Sequence, residues 1–306
     1  MDKALVSIII PTYRGQDVIG RALHSALEQT YTNIEIIIVD DNNPYSQERK
    51  ATESVLASYM TERRVVYLKH SENKNGAAAR NTGIKFAHGK YIAFLDDDDW
   101  FLPTKIERQV NYLERHPEFN AVYCLAQRNG VHIDTLPYEG NATKHLLLME
   151  AKMFTPSLMF LTQALRSIKG FDESFRRHQD YELLLRFFKA NYQIGCLKEV
   201  LLELGTGGND NNPNSHSMLQ LKECFLNKFA SEIEAVDSIE HGFRNKTLAL
   251  HYGMVLIPYF REGEYKKALQ LFRLYFMLSP YYFTMGLRKR VKLFLLNRIH
   301  CSKKIM

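Results

Sequence analysis

Four consecutive aspartates, Asp96 to Asp99, follow a short apolar run, Tyr91 to Leu95, and precede the chain's only tryptophan, Trp100. Neighbouring carboxylates repel and raise one another's pKa values unless a cation or strong donors stand beside them. Their oxygens are natural ligands of hard divalent cations such as magnesium, and they suit manganese as well. The run reads either as a divalent metal site or as a solvated acidic turn after a strand. Two further acids, Asp40 and Asp41, close another apolar run, Ile34 to Val39. Asp180 is the second residue of the pattern QDYELLLRFFKA, in the first turn of an expected helix, where the macrodipole and free N–H groups favour an ionised carboxylate.

Bringing these acids together requires a sheet whose strands end on one edge. Val6 to Ile10 is β-branched, apolar and stopped by Pro11, as a strand buried on both faces would be. Helical spacing follows through Val18, Leu23, Ala26 and Leu27. Val65 to Leu68 reads as a third strand, preceded by a helix over 48–60, and Gly76 to Ala87 as a helix leading into the strand before the aspartates. This alternation predicts a parallel α/β sheet with helices on both faces. Tyr13 and Arg14, Asp40 to Asn43, and Asp96 to Asp99 then gather at the carboxyl ends of the strands, where open α/β sheets bind ligands. That convergence weighs against a mere solvated turn.

Farther on, the pattern predicts a helix over 103–116, strands over 121–126, 157–161 and 193–204, and a loop over 205–215, GTGGNDNNPNS. The stretch 128–142 has no secure assignment. From Met218 onward the pattern is helical, with helices over 247–261 and 264–278 that resemble a single tetratricopeptide-like hairpin rather than a repeat array.

The chain has 306 residues, 45% of them hydrophobic and 24% charged, the composition of an ordinary globular protein. Cys124, Cys196, Cys224 and Cys301 show no CxxC spacing, so neither a zinc site nor a disulfide framework is expected. Neither a signal peptide nor a membrane span is visible, and the expected location is the cytoplasm. The formal charge of +6 is unevenly placed: residues 265–306 hold ten Lys or Arg and no acid, leaving −4 on residues 1–264. No nucleic-acid partner is expected. The basic amphipathic tail, 286–306, suits either an anionic membrane interface at the inner face or docking on protein with its basic face solvated.

Taken in order, SIIIPTYRG, IEIIIVDDNN, GAAARNTGIKFAHGKYIAFLDDDDW and GFDESFRRHQDYELLLRF resemble the family 2 glycosyltransferases with a GT-A fold, over about residues 5–205. The resemblance implies a mostly parallel, Rossmann-like α/β sheet flanked by helices and followed by an α-helical C-terminal region. The expected division is a catalytic domain over 1–215 and a helical extension over 216–306. The nucleotide-binding half would span about 1–100 and the acceptor half about 101–215. The family implies inverting transfer of a sugar from a nucleotide-activated donor, usually a UDP-sugar, to an acceptor hydroxyl, with a divalent metal as cofactor. Pro11 and Tyr13 would line the base pocket, Tyr13 stacking on uracil, and Asp41 would bond its imide edge. Asn75 and Arg80 would approach the nucleotide.

The family's metal motif falls on Asp96 to Asp98. Asp98 would ligate the metal, with Asp96 as a further ligand, while Asp96 or Asp97 would meet the ribose or a metal-bound water. Asp180 would be the general base. Gln179 departs from the pattern, since a glutamate commonly precedes that base, and this puts acceptor-side details in question. His216 is the nearest candidate for the metal-binding histidine that some members carry. A lipid-linked glycan acceptor, as in bacterial surface polysaccharide assembly, would suit the basic tail.

Two other readings compete. A nucleotidyltransferase making sugar nucleotides would carry a glycine-rich basic loop after its first strand, where PTYRG offers one glycine and one arginine. A non-catalytic sugar-nucleotide-binding or scaffolding subunit would have no need of both Asp98 and Asp180.

Overall fold

The computed structural model describes residues 3–205, 214–281 and 284. It separates into two compact units, 1–210 and 211–306. The tail 286–306 and most of the loop 205–215 lie outside the described residues.

The first unit is built on one sheet of nine strands. Its opening half is β1 (Val6–Thr12), α1 (Ile19–Leu27), β2 (Ile34–Asp40), α2 (Gln47–Leu56), β3 (Val65–Lys69), α3 (Gly76–Phe86) and β4 (Tyr91–Phe94). Strand β1 is buried along its whole length, as its β-branched run requires, and pairs in parallel with both β2 and β4. Strand β3 pairs in parallel with β2 at the edge. Helix α3 lies so close to β1 that a Cβ on Gly83 would come within 2.4 Å of Ile9 Cγ2. Only glycine fits there.

The second half is β5 (Trp100–Phe101), α4 (Lys105–Arg115), β6 (Ala121–Arg128), β7 (Val131–His132), α5 (Thr143–Leu147), β8 (Leu158–Leu161), α6 (Thr162–Ser167), α7 (Gln179–Lys189) and β9 (Ile194–Glu203). Strand order across the sheet is β3-β2-β1-β4-β8-β6-β9-β5, with β7 attached to β6. Parallel pairing holds through the first four strands. Beyond β4 the sheet is mixed, because β8 runs antiparallel to both β4 and β6, and β5 antiparallel to β9. The result is a mixed α/β fold in which the aspartate turn sits between β4 and β5.

The second unit contains α8 (Ser215–Lys228), α9 (Ala230–Asp237), α10 (Phe243–Arg261) and α11 (Tyr265–Leu278). The last two form the expected hairpin, closed by Val255, Leu256 and Tyr259 against Ala268, Leu271 and Tyr275. No helix among the described residues is long and apolar enough to cross a membrane.

Candidate active site

The aspartate turn closes with Asp99 N–H donating to the Asp96 carbonyl at 3.1 Å, and its four side chains diverge. Asp97 turns back on β1 and accepts from Thr12 Oγ1 at 2.6 Å; burial pushes its carboxyl up to about 7, with Asp96 and Asp98 adding to the shift. Asp99 points away and accepts the Gly205 N–H at 2.7 Å, and burial pushes it up to about 8. Gly205 packs so tightly that a Cβ would lie 2.1 Å from the Asp98 carbonyl. Asp96 is ion-paired with Arg80. Asp98 is raised chiefly by burial, and its carboxylate forms no ion pair among the described residues. Arg21 of α1 steadies the turn, donating to the Asp98 carbonyl at 2.8 Å while stacking on Trp100 at 3.7 Å.

Two cavities meet at this turn. The smaller, about 250 Å³, is lined by Pro11, Thr12, Tyr13, Asp41, Ala79 and Asp97. The larger, about 520 Å³, is reached by Asp99, Arg128, Phe154, Arg176, Arg177 and Asp180. Gly76, Arg80, Asp96 and Asp98 belong to both and form the common wall. Arg80 ties this wall to helix α7: it bonds Asp96 on one side and donates to Gln179 Oε1 at 2.8 Å on the other.

Asp41 is buried, and each of its oxygens accepts twice. Oδ1 takes the His70 ring at 2.7 Å and the Lys74 N–H at 2.9 Å; Oδ2 takes the Asn73 amide and the Asn75 N–H, both at 2.9 Å. Its lone-pair directions are thereby filled from within the protein. Asn75 caps α3, accepting from Ala78 N–H at 3.1 Å and donating to the Glu173 carbonyl at 2.9 Å, with a backbone φ of 131°. Its neighbour Gly76, not Asn75, reaches the cavities. Tyr13 is 40% exposed, with Arg14 5.1 Å from its ring centroid.

Asp180 is the second residue of α7, half-buried at the wall of the larger cavity. Burial pushes its carboxyl up to about 6, against the lowering effect of the Tyr181 N–H, which it accepts at 2.9 Å. The helix is fixed from behind: Arg186 pairs with buried Glu182 at 2.5 Å and donates to the Ile168 and Gly170 carbonyls. A carboxyl near 6 beside a cavity is suited to accepting a proton near neutral pH.

Six of the expected nucleotide-side and metal residues, Pro11, Tyr13, Asp41, Arg80, Asp96 and Asp97, line the smaller cavity together with Asp98. Asp180 faces the adjoining one. His216 is the second residue of α8 in the second unit, its Nε2 lying 3.0 Å from Gln220 Nε2. Among the described residues no group of three or more His, Cys, Asp or Glu could hold a metal by itself. The donor set nonetheless fits a hard cation completed by ligand oxygens, because the Asp98 carboxylate has no ion-pair partner among the described residues and Asp96 shares its wall. Thr12, Arg128, Phe154 and Gly205 were not among the residues expected from sequence, although all four border the site.

An uncharacterized glycosyltransferase from Methanocaldococcus jannaschii is 30% identical over 218 residues, covering 69% of this chain and 74% of that protein. Among solved structures, S. aureus TarS 1-349 in complex with UDP-GlcNAc aligns over 90% of this chain and 91% of its own, with TM-score 0.61 and 15% identity. The mannosyltransferase PcManGT from Pyrobaculum calidifontis, in complex with GDP-Man and Mn2+, aligns over 92% of this chain and 83% of its own, with TM-score 0.58 and 17% identity. The fold is thus shared with these two proteins, and the sequence profile described as glycosyl transferase family 2 matches residues 7–184, so the chain belongs to that family.

Proposed function

We propose that the chain is an inverting glycosyltransferase that moves a sugar from a nucleoside diphosphate donor, most simply a UDP-sugar, to an acceptor hydroxyl. The observation that carries this reading is the common wall of Arg80, Asp96 and Asp98, with the nucleoside-sized cleft on one side and Asp180 on the other. In-line displacement at an anomeric carbon needs this opposition. The leaving diphosphate departs on one side while the acceptor oxygen attacks from the other and loses its proton to a base.

In this reading Tyr13 offers its exposed ring to the base, and Pro11 forms the cleft wall. Asp41 acts by fixing the segment Asn73–Asn75, and Asp97 stays tied to Thr12. Asp98, with Asp96, would hold a manganese or magnesium ion. Such an ion supplies Lewis-acid neutralisation of charge developing on the departing phosphate. Asp180 takes the acceptor proton, a contribution of about two to four orders of magnitude in rate. TarS, solved with UDP-GlcNAc, and PcManGT, solved with GDP-Man and Mn2+, support a nucleotide-sugar donor and leave both uridine and guanosine forms as candidates. A lipid-linked glycan acceptor in surface polysaccharide assembly, with residues 286–306 meeting an anionic membrane, extends the same reading.

The test is a thermal-unfolding screen of UDP- and GDP-sugars with and without manganese. One nucleotide series should raise the unfolding midpoint, and more so with the metal. No protection by either series would overturn the proposal.

A further inference from the structure

The larger cavity is lined by four arginines. Arg80 is occupied by Asp96 and Gln179. The side chains of Arg128, at the end of β6, and of Arg176 and Arg177, in the turn before α7, form no hydrogen bond or ion pair among the described residues. Arg128 senses Asp98 and Asp99 only at longer range. The three come from segments about fifty residues apart and converge on the cavity that Asp180 faces. Neutral Gln179 opens the helix there, so no carboxylate at that position pairs with them.

Unpaired cations are ordinary on open surface, where water satisfies them. Three at one cavity of about 520 Å³ repel one another; of the acids on the same cavity Asp96 is taken by Arg80 and Asp99 by the Gly205 N–H, which leaves Asp98 and Asp180 to offset three cations, and an anionic ligand relieves the repulsion that remains. The smaller cleft contains none of the three. A diphosphate bound at the common wall would already have Arg80 and the metal site beside it. The remaining positive charge therefore faces whatever lies beyond the transferred sugar. Guanidinium groups pair with phosphate and carboxylate through two parallel hydrogen bonds. Phe154, Pro156 and Leu204 supply apolar surface on the same cavity, suited to the flat face of a sugar ring.

We propose that the acceptor is an anionic glycan, bearing a phosphate or carboxylate that Arg128, Arg176 and Arg177 hold so that its hydroxyl faces Asp180. This inference rests on the glycosyltransferase reading and specifies its acceptor. The bond from the anomeric carbon to the diphosphate oxygen breaks, and a bond from that carbon to the acceptor oxygen forms. The hydroxyl proton passes to Asp180, and the diphosphate leaves with the electron pair. The acceptor's anionic group is unchanged, serving only to orient the attacking oxygen.

The full chain, saturated with manganese and whichever of UDP or GDP binds, is titrated calorimetrically with glucose 6-phosphate, glucuronate and glucose. A phosphate-bearing and a carboxylate-bearing acceptor are distinguished by which anionic sugar binds. At least one should bind ten-fold or more tightly than glucose, and Arg176→Ala/Arg177→Ala should erase that preference while nucleotide affinity stays within two-fold. Equal binding of all three sugars overturns the proposal. So does a loss of nucleotide affinity in the double variant matching the loss of sugar-anion affinity, since the arginines would then serve the donor. Failure of the unaltered chain to bind either nucleotide would overturn the glycosyltransferase reading itself, a result visible before any sugar is added.

Discussion

The two cavities differ in how far the protein has already answered its own charges. On the side proposed for the nucleotide, three acids are satisfied from within. Asp40 is paired with Arg49 at 3.1 Å, Asp41 accepts four hydrogen bonds, and Asp97 is held by Thr12. On the side proposed for the acceptor, the Asp180 carboxylate is held by backbone N–H groups of its own helix turn, and the side chains of three arginines have no protein partner among the described residues. The first side is a rigid mould whose polar groups are spent on shape. The second holds its polar groups in reserve for a ligand. Substitutions on the nucleotide side should therefore lower stability, and those on the acceptor side should lower turnover.

The sharpest division is expected at Asp180. Asp180→Asn should reduce transfer by two to four orders of magnitude, with nucleotide binding by calorimetry and the unfolding midpoint nearly unchanged. A turnover equal to the unaltered chain would remove Asp180 from its role. Next comes Asp98→Ala, which should abolish the manganese-dependent gain in nucleotide affinity; a metal effect that survives would place the ion elsewhere. Acidification then distinguishes the sides without mutation. Because burial raises Asp180 to about 6, the base is ionised above that pH and protonated below it, so turnover at saturating donor and metal should fall about ten-fold per pH unit below 6. A flat profile from pH 7 to 5 would contradict this. The smallest effect on chemistry should follow Asp41→Ala. It leaves the His70 ring and the Lys74 and Asn75 N–H groups without their acceptor, while the Asn73 amide keeps the Asp41 carbonyl at 3.1 Å, and should lower stability by about 3 kcal/mol in denaturant titration, with the residual folded enzyme still turning over. Unchanged stability would erase the contrast between the cavities.

The sequence exposed the nucleotide side well, because its signals are local. An apolar run ending in acids repeats at Ile34–Asp41 and Tyr91–Asp99, and each run formed a strand ending at the cleft. The acceptor side was harder to read because its parts are assembled across long separations. Arg128 ends a strand whose apolar pattern carries no sign of what lies past it, and Phe154 belongs to an irregular segment. Gly205 meets Asp99 from 106 residues away. Strand β5, only two residues long, offers no periodicity at all, yet its pairing with β9 brings Gly205 close to the aspartate turn. Asp41 was recognisable as a site acid, but its four bonds depend on a loop conformation that residue types do not encode. Gln179 was visible as a departure from the family pattern, and its bond to Arg80 gives that departure a structural partner.

The placement of β1 has a consequence during synthesis of the chain. This strand, buried throughout, is flanked by β2 and β4, and β4 is in turn flanked by β8, whose residues begin at Leu158. At about 5–20 residues per second, the roughly 80 residues between the end of β1 and the start of β4 take about 4–16 s to be made. For that interval one edge of a strand rich in isoleucine has no native neighbour, and an unpaired apolar edge is a template for pairing with other chains. The sheet order that brings the aspartates to the cleft thus leaves the nascent protein dependent on whatever shields its first strand until the fourth emerges.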